Sequence, residues 1–290
     1  MSEEATKQKA VTSETFIYLS LWFILNIVIT VYSKVIFSVH EFPYSFLMTA
    51  IHMAVTMTGV ATGFATGFFK ARAQLSGESL LKLVQFSFVF TLNIWLSNAA
   101  LNAVSIEMHQ VVRSLVPIAT MVISLLLYNK AYSWSLLPSV AMICGGVILT
   151  VSGAPSVEAS GLAITVASLF MASVKGIMTQ QMQVGDLGLS APELLLYMSP
   201  MALVELLVAA EVSGEISSLI ESGGVSSTLG WHLFGVGLVA CALNVVSFRS
   251  AGLATPLTMN VLSNIKQVLT CVLGVILFNG GFTLGLSAGE

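Results

Sequence analysis

Residues 260–278 read NVLSNIKQVLTCVLGVILF, with a single charge, Lys266, set among valine, leucine, isoleucine and cysteine. A run of this length can cross about 30 Å of hydrocarbon as a helix rising about 1.5 Å per residue. The rest of the chain has the same character. Its 290 residues are 56% hydrophobic and 9% charged, with a mean hydropathy of +0.91. Soluble domains carry about a quarter charged residues, so this chain cannot clothe a wet surface and lipid is its solvent. Lipid leaves open backbone groups unsatisfied, which makes an all-α integral membrane protein the expected class.

The net charge of −3 gives no basis for binding nucleic acid. Cys144, Cys241 and Cys271 sit in apolar runs without metal-ligand spacing. They read as small core residues, and neither a metal nor a cofactor is expected. The N-terminal MSEEATKQKAVTSE is short and acidic at its start, unlike a secretory signal or a transit peptide.

Polar punctuation separates nine apolar runs, at about 16–38, 44–69, 79–104, 106–128, 134–154, 160–183, 191–213, 230–250 and 256–278. With nine alternating spans, Lys7, Lys9, Lys70, Arg72, Lys82, Lys130 and Arg249 all fall on the side of the N-terminus. The opposite loops hold no Lys or Arg, and EVSGEISSLIESGGVSSTLG among them is acidic. The positive-inside rule then predicts a cytosolic N-terminus.

Four cations remain inside the spans: Lys34, Arg113, Lys175 and Lys266. Each costs about 2.5–3.5 kcal/mol at a helix centre on insertion scales. Lys34 and Lys175 lie nearer span ends, where snorkelling to headgroups and facing a cavity are both open readings. Arg113 and Lys266 lie deeper. The acid at comparable depth, Glu205, cannot neutralise both, so an anion site is the expected reason for them. Lys34 and Lys175 fall in spans one and six, Arg113 and Lys266 in spans four and nine. Five spans separate each pair, the spacing of two inverted five-helix repeats. Such repeats place binding groups near the midplane and expose them alternately. The boundaries predicted are a cytosolic tail at 1–15, a first repeat at 16–154 and a second at 160–290.

Neighbouring residues fit a polar cavity that would hold a phosphate or carboxylate. In IEMHQVVRSLVP, His109 stands one turn before Arg113, with Gln110 adjacent and Pro117 marking a kink. Around Lys266, Ser263 and Thr270 continue a polar stripe. Span three adds Asn93, Ser97 and Asn98, and span eight adds Asn244 and Ser247. Taken singly, each of these Asn or Ser residues also reads as glue between helices. GVATGFATG sets Gly59, Gly63 and Gly67 on one ridge, suited to close helix packing or to a homodimer seam, and Gly145–Gly146 reads the same way.

FPYSFLMTAIH (42–52), SNAALNAVSIEMHQVVRSLVP (97–117), ASVKGIMTQQMQ (172–183), LLLYMSPMALVE (194–205) and LTMNVLSNIKQVLTCVLGVILFN (257–279) together resemble the triose-phosphate/nucleotide-sugar transporter family of the drug/metabolite transporter superfamily, its fungal members above all. The similarity runs from Trp22 to Asn279. It implies a ten-helix multi-span bundle of two inverted repeats and strict exchange of a phosphorylated solute. It also implies basic anion-binding residues on helices four and nine, which match Arg113 and Lys266. Plastid members carry a Lys-Arg pair where this chain has Lys266–Gln267, and the helix-four position, commonly Lys, is Arg113. GDP-mannose transporters show Gly-Ala-Leu-Asn, of which this chain has CALN at 241–244. After Phe278, NGGFTLGLSAGE begins what the family makes its tenth helix, which is therefore expected to be truncated.

The reading that follows is an antiporter of the Golgi or endoplasmic reticulum. It exchanges a nucleotide sugar or related phosphorylated solute for a nucleoside monophosphate or phosphate. Arg113 and Lys266 hold the phosphates, and Lys175 and Lys34 contribute from the pseudo-symmetric spans. Tyr197, Asn98, Asn244, Ser263, Asn264, His109, Gln110 and Gln267 face the rest of the solute. Two alternatives stay open: a proton-coupled exporter loading its proton on Glu205, or a non-transporting truncated membrane protein. No nucleophile–base constellation suggests an enzyme.

Overall fold

The computed structural model describes residues 3–70, 76–104, 106–128, 159–185 and 187–266, together with 138, 141–142 and 144–146. The predicted span over 134–154 lies largely outside these residues, as do Gln267, Thr270, Cys271 and the stretch after Phe278. Among the described residues the chain is helical and contains no strand: α1 Glu3–Val39, α2 Ser45–Ala65, α3 Gly77–Ala103, α4 Ile106–Arg113, α5 Val116–Tyr128, α6 Ala159–Val184, α7 Ala191–Val212, α8 Glu215–Glu221 and α9 Ser227–Leu253. A further helical stretch covers 256–266. Six helices are long and apolar enough to cross a membrane, spanning Ser13–Phe37, Ser45–Ala65, Gly77–Ala100, Ala159–Val184, Ala191–Val212 and Ser227–Leu253. They coincide with the predicted runs one, two, three, six, seven and eight. α1 begins at Glu3, so the helix runs back through the predicted tail. Large apolar side chains such as Phe16, Trp231 and Val212 stay outward, 72%, 75% and 79% exposed, as lipid-facing surfaces do.

The starts of α7 and α9 follow from local chemistry. Ser190 and Glu193 form a capping box on α7, the Ser190 backbone N–H donating to the Glu193 carboxylate at 2.9 Å and the Glu193 N–H to Ser190 Oγ at 3.4 Å. This reciprocal pairing is what lets Glu193 sit buried. Ser226 caps α9 by accepting from the Leu229 N–H at 3.2 Å.

The chain forms two compact units, residues 1–91 with 178–255 and residues 92–177 with 256–290. In the first, α2 packs along α7 and α9, and α1 along α9. Gly235 and Gly237 let α9 approach both neighbours: a Cβ there would stand 2.7 Å from Tyr32 Oη and from Val55 Cγ2. The ends of α1, α2 and α9 close on a core of Ile36, Phe42, Met48, Leu229, Leu233 and Val236. Arg249 near the end of α9 pairs with Glu14 on α1 and lies 5.8 Å from the Tyr18 ring centroid.

The N-terminus of α2 is capped from a distance. Tyr44 gives it no side-chain cap. Glu215, at the start of α8, instead accepts the backbone N–H groups of Phe46 at 3.1 Å and Leu47 at 2.9 Å. A carboxylate at a helix N-terminus satisfies orphan donors and meets the positive end of the helix dipole. Glu215→Ala should therefore cost about 1–3 kcal/mol. Hydrogen exchange should show faster exchange confined to the first turn of α2, and unchanged exchange there would remove the cap's importance.

The glycine ridge of α2 resolves into separate roles. A Cβ on Gly59 would stand 2.9 Å from Cys241 Sγ of α9, so this glycine packs within the chain. Gly63 abuts Phe69 of its own segment, while Gly67, at φ +75°, terminates the helical region in the left-handed conformation. At Gly145 and Gly146 an added Cβ meets none of the described residues.

Candidate functional site

The second unit is built around a broken span. The predicted run over 106–128 is two helices, α4 and α5, separated at Ser114–Leu115. Proline explains the break. Pro117 has no N–H to donate to the Arg113 carbonyl. The Ile118 N–H turns to the Leu115 carbonyl at 2.9 Å, away from Ser114. Below the break the Ser114 and Leu115 N–H groups make short-range bonds to Val111 and Val112, at 3.2 and 3.0 Å. The kink expected from Pro117 is thus a full interruption three residues upstream of it. Met108, Val112, Val116, Ala119 and Leu169 form the core that seats both pieces against α6.

Carbonyls freed inside a membrane need donors. Asn264, on the helix over 256–266, donates its amide to the Ser114 carbonyl at 2.9 Å. Ser173 of α6 donates to the Val116 carbonyl at 3.3 Å, and Asn260 donates to Thr120 Oγ1 at 2.7 Å. Asn260 and Ser173 were not singled out from sequence. The signal was present for the break itself: a proline four residues past Arg113 removes a donor from the helix ladder, and a polar side chain on a neighbouring span such as Asn264 can answer the carbonyl left open.

The break places Arg113 at the end of α4. Its guanidinium donates to Ser97 Oγ of α3 at 2.6 Å. Lys175 of α6 lies within electrostatic range of both Arg113 and Lys266, and Lys266 within range of Arg113. Among the described residues no carboxylate stands within ion-pair distance of Arg113. His109, one turn back on α4, is 3% exposed, and neither of its ring nitrogens has a hydrogen-bond partner among the described residues. Asn93 on α3, one turn from Ser97, also has its side-chain oxygen buried without a partner among them. Three cations and two under-used polar side chains in one apolar unit can neutralise an anion and hydrogen-bond its polar substituents.

Of the predicted site residues, Arg113, Lys175, Lys266, His109, Asn98, Ser263 and Asn264 fall in this unit. Gln110 lies on α4, but its side chain is not among those described, and Gln267 lies outside the described residues. Lys34, Tyr197 and Asn244 belong to the first unit. The side chain of Lys34 is likewise not described. Asn244 donates to Thr56 Oγ1 at 3.0 Å, tying α9 to α2. Glu205, also in the first unit, accepts hydroxyl bonds from Ser87 at 3.0 Å and Thr91 at 2.6 Å. Among the described residues no group of three or more metal-ligating side chains converges.

The chain is similar along most of its length to known transporters. A protein of Arabidopsis thaliana named "Probable sugar phosphate/phosphate translocator" is 26% identical over 92% of this chain and 75% of its own length. A GDP-mannose transporter of the same plant is 24% identical over 89% and 76%. A UDP-uronic acid transporter, also from Arabidopsis thaliana, is 25% identical over 98% and 92%. The family model described as the Triose-phosphate Transporter family matches residues 13–289. The chain belongs to that family, and is a multi-span membrane transporter, not an enzyme.

Proposed function

We propose that the protein is an antiporter that exchanges a nucleotide sugar or related phosphorylated solute for a nucleoside monophosphate or inorganic phosphate. Its membrane would be that of the Golgi or endoplasmic reticulum, with the N-terminus in the cytosol. The observation that carries the reading is Arg113 at the open end of α4, its guanidinium on Ser97 Oγ at 2.6 Å, with His109 buried one turn back and Lys175 and Lys266 within electrostatic range. Mutually repelling charges in a poorly polarisable medium are stabilised by an anion placed among them. The names of the relatives point to the same chemistry: sugar phosphates, GDP-mannose and UDP-uronic acid all carry phosphate esters. The cytosolic N-terminus is supported by the segregation of Lys and Arg, and exchange by the cost of carrying a site with several cations through the membrane without its anion.

The test is uptake into proteoliposomes preloaded with phosphate, UMP, GMP or buffer and offered labelled nucleotide sugars and sugar phosphates. Uptake is expected only against a phosphate-bearing preload. Equal uptake into buffer-loaded vesicles would replace antiport with uniport. Glu205→Gln keeps acceptor oxygen for Ser87 and Thr91 and is expected to leave exchange within about twofold. Abolition of transport by this variant, with Arg113→Ala spared, would favour proton coupling instead.

A further inference from the structure

The two deepest cations need something to hold them near one another. Arg113 and Lys266 repel, and a low-dielectric surrounding strengthens that repulsion. The helices that carry them are joined by uncharged groups. Asn260 and Asn264, one turn apart on the helix over 256–266, share a face. Asn260 grips Thr120 beyond the break at 2.7 Å, and Asn264 grips the Ser114 carbonyl at the break at 2.9 Å. A carbonyl only accepts, so the Asn264 amide nitrogen is fixed as the donor. Ser114 directly follows Arg113, and Lys266 lies two residues beyond Asn264.

Resting on the functional reading above, we infer that Asn264 is a positioning residue: it holds the open end of α4 so that Arg113 keeps its place, on Ser97 and within range of Lys266, before the anion arrives. Ser97 completes the arrangement by accepting from the guanidinium at 2.6 Å. The arginine is thereby held through its backbone neighbour from one side and through its side chain from the other. Preorganisation of this kind lowers the cost of binding, because the ligand does not have to gather the charges itself. Asn264 was predicted to face the solute. With its amide nitrogen on Ser114, it acts on the solute through Arg113.

Two measurements on the intact chain test this, one of which needs no ligand. Hydrogen exchange should show the backbone around residues 111–119 exchanging about tenfold faster in Asn264→Ala than in wild type, with α2 unchanged. Binding of UMP and inorganic phosphate, followed by thermal shift, should weaken about tenfold in Asn264→Ala. The increment should shrink to less than threefold in an Arg113→Lys background, because a lysine lacks the planar fork being aimed. Asn264→Gln, which keeps the donor, should restore part of the affinity. Unchanged exchange at 111–119 would overturn the proposal. So would an equal loss of affinity in both backgrounds, which would mean that Asn264 acts without Arg113. If wild type binds neither probe while Asn264→Ala still speeds exchange, the anion reading falls and the hold on the break stands.

Discussion

Arg113→Ala is expected to slow exchange transport by between about thirtyfold and a few thousandfold while leaving the protein inserted and folded. Removing one member of a desolvated, hydrogen-bonded charge pair costs about 2–5 kcal/mol, and each 1.4 kcal/mol is tenfold. The partner charge in this case is the incoming anion, so the loss should appear in transport and binding and much less in stability. The empty site should even relax, because Arg113 lies within range of Lys175 and Lys266 without a carboxylate at ion-pair distance among the described residues. A slightly raised thermal midpoint for the ligand-free variant would be the companion signature. Lys266→Ala should act in the same direction. Combining the two should cost less than the sum of their separate effects, since both serve one ligand. Uptake by Arg113→Ala proteoliposomes within threefold of wild type would remove Arg113 from the site.

This expectation rests on a part of the molecule that was partly legible in its sequence. That Arg113 and Lys266 sit within apolar runs was legible from hydropathy, because a charge placed among apolar residues is costly and calls for a reason. Six of the nine span positions were legible for the same reason: length and apolar content mark where a helix can cross. Partnership between spans was harder to read. Lys34 and Lys175 were paired by symmetry; Lys175 lies within electrostatic range of Arg113 and Lys266, and Lys34, whose side chain is not among those described, falls in the other compact unit. Sequence spacing reports how repeats are ordered along the chain, and compactness depends on which faces pack. The break at Ser114–Leu115 was placed too late for a related reason. Proline disrupts the bonds of the turn preceding it, so the damage falls upstream of Pro117, on carbonyls such as that of Ser114, which Asn264 now holds. Glu215 read only as part of an acidic loop, since its role as a cap depends on α8 lying beside the start of α2.

The glycines show the same limit and lead to the second large effect. The repeated spacing of Gly59, Gly63 and Gly67 suggested close packing, whereas a close approach to the backbone of another helix is at Gly161, which has no glycine at ridge spacing beside it. A Cβ there would stand 2.7 Å from the Ala103 carbonyl oxygen and 3.2 Å from its carbon, with Val104 Cγ1 at 3.0 Å. Gly161→Ala should therefore force the start of α6 away from the end of α3 and cost about 1–3 kcal/mol by overpacking. Thermal unfolding in detergent should register a midpoint lower by several degrees. Transport should fall with it, because α6 carries Lys175 and α3 carries the Ser97 that holds Arg113. Gly59→Ala supplies the contrast. Its obstacle is the Cys241 sulfur at 2.9 Å, a side-chain atom, so Cys241→Ala should rescue it. No side-chain replacement can move the Ala103 carbonyl, and Val104→Ala should recover only a minor part of the loss at Gly161. A Gly161→Ala protein as stable as wild type would mean that α6 and α3 yield to one another at this point. The position of Lys175 would then need support from elsewhere on α6.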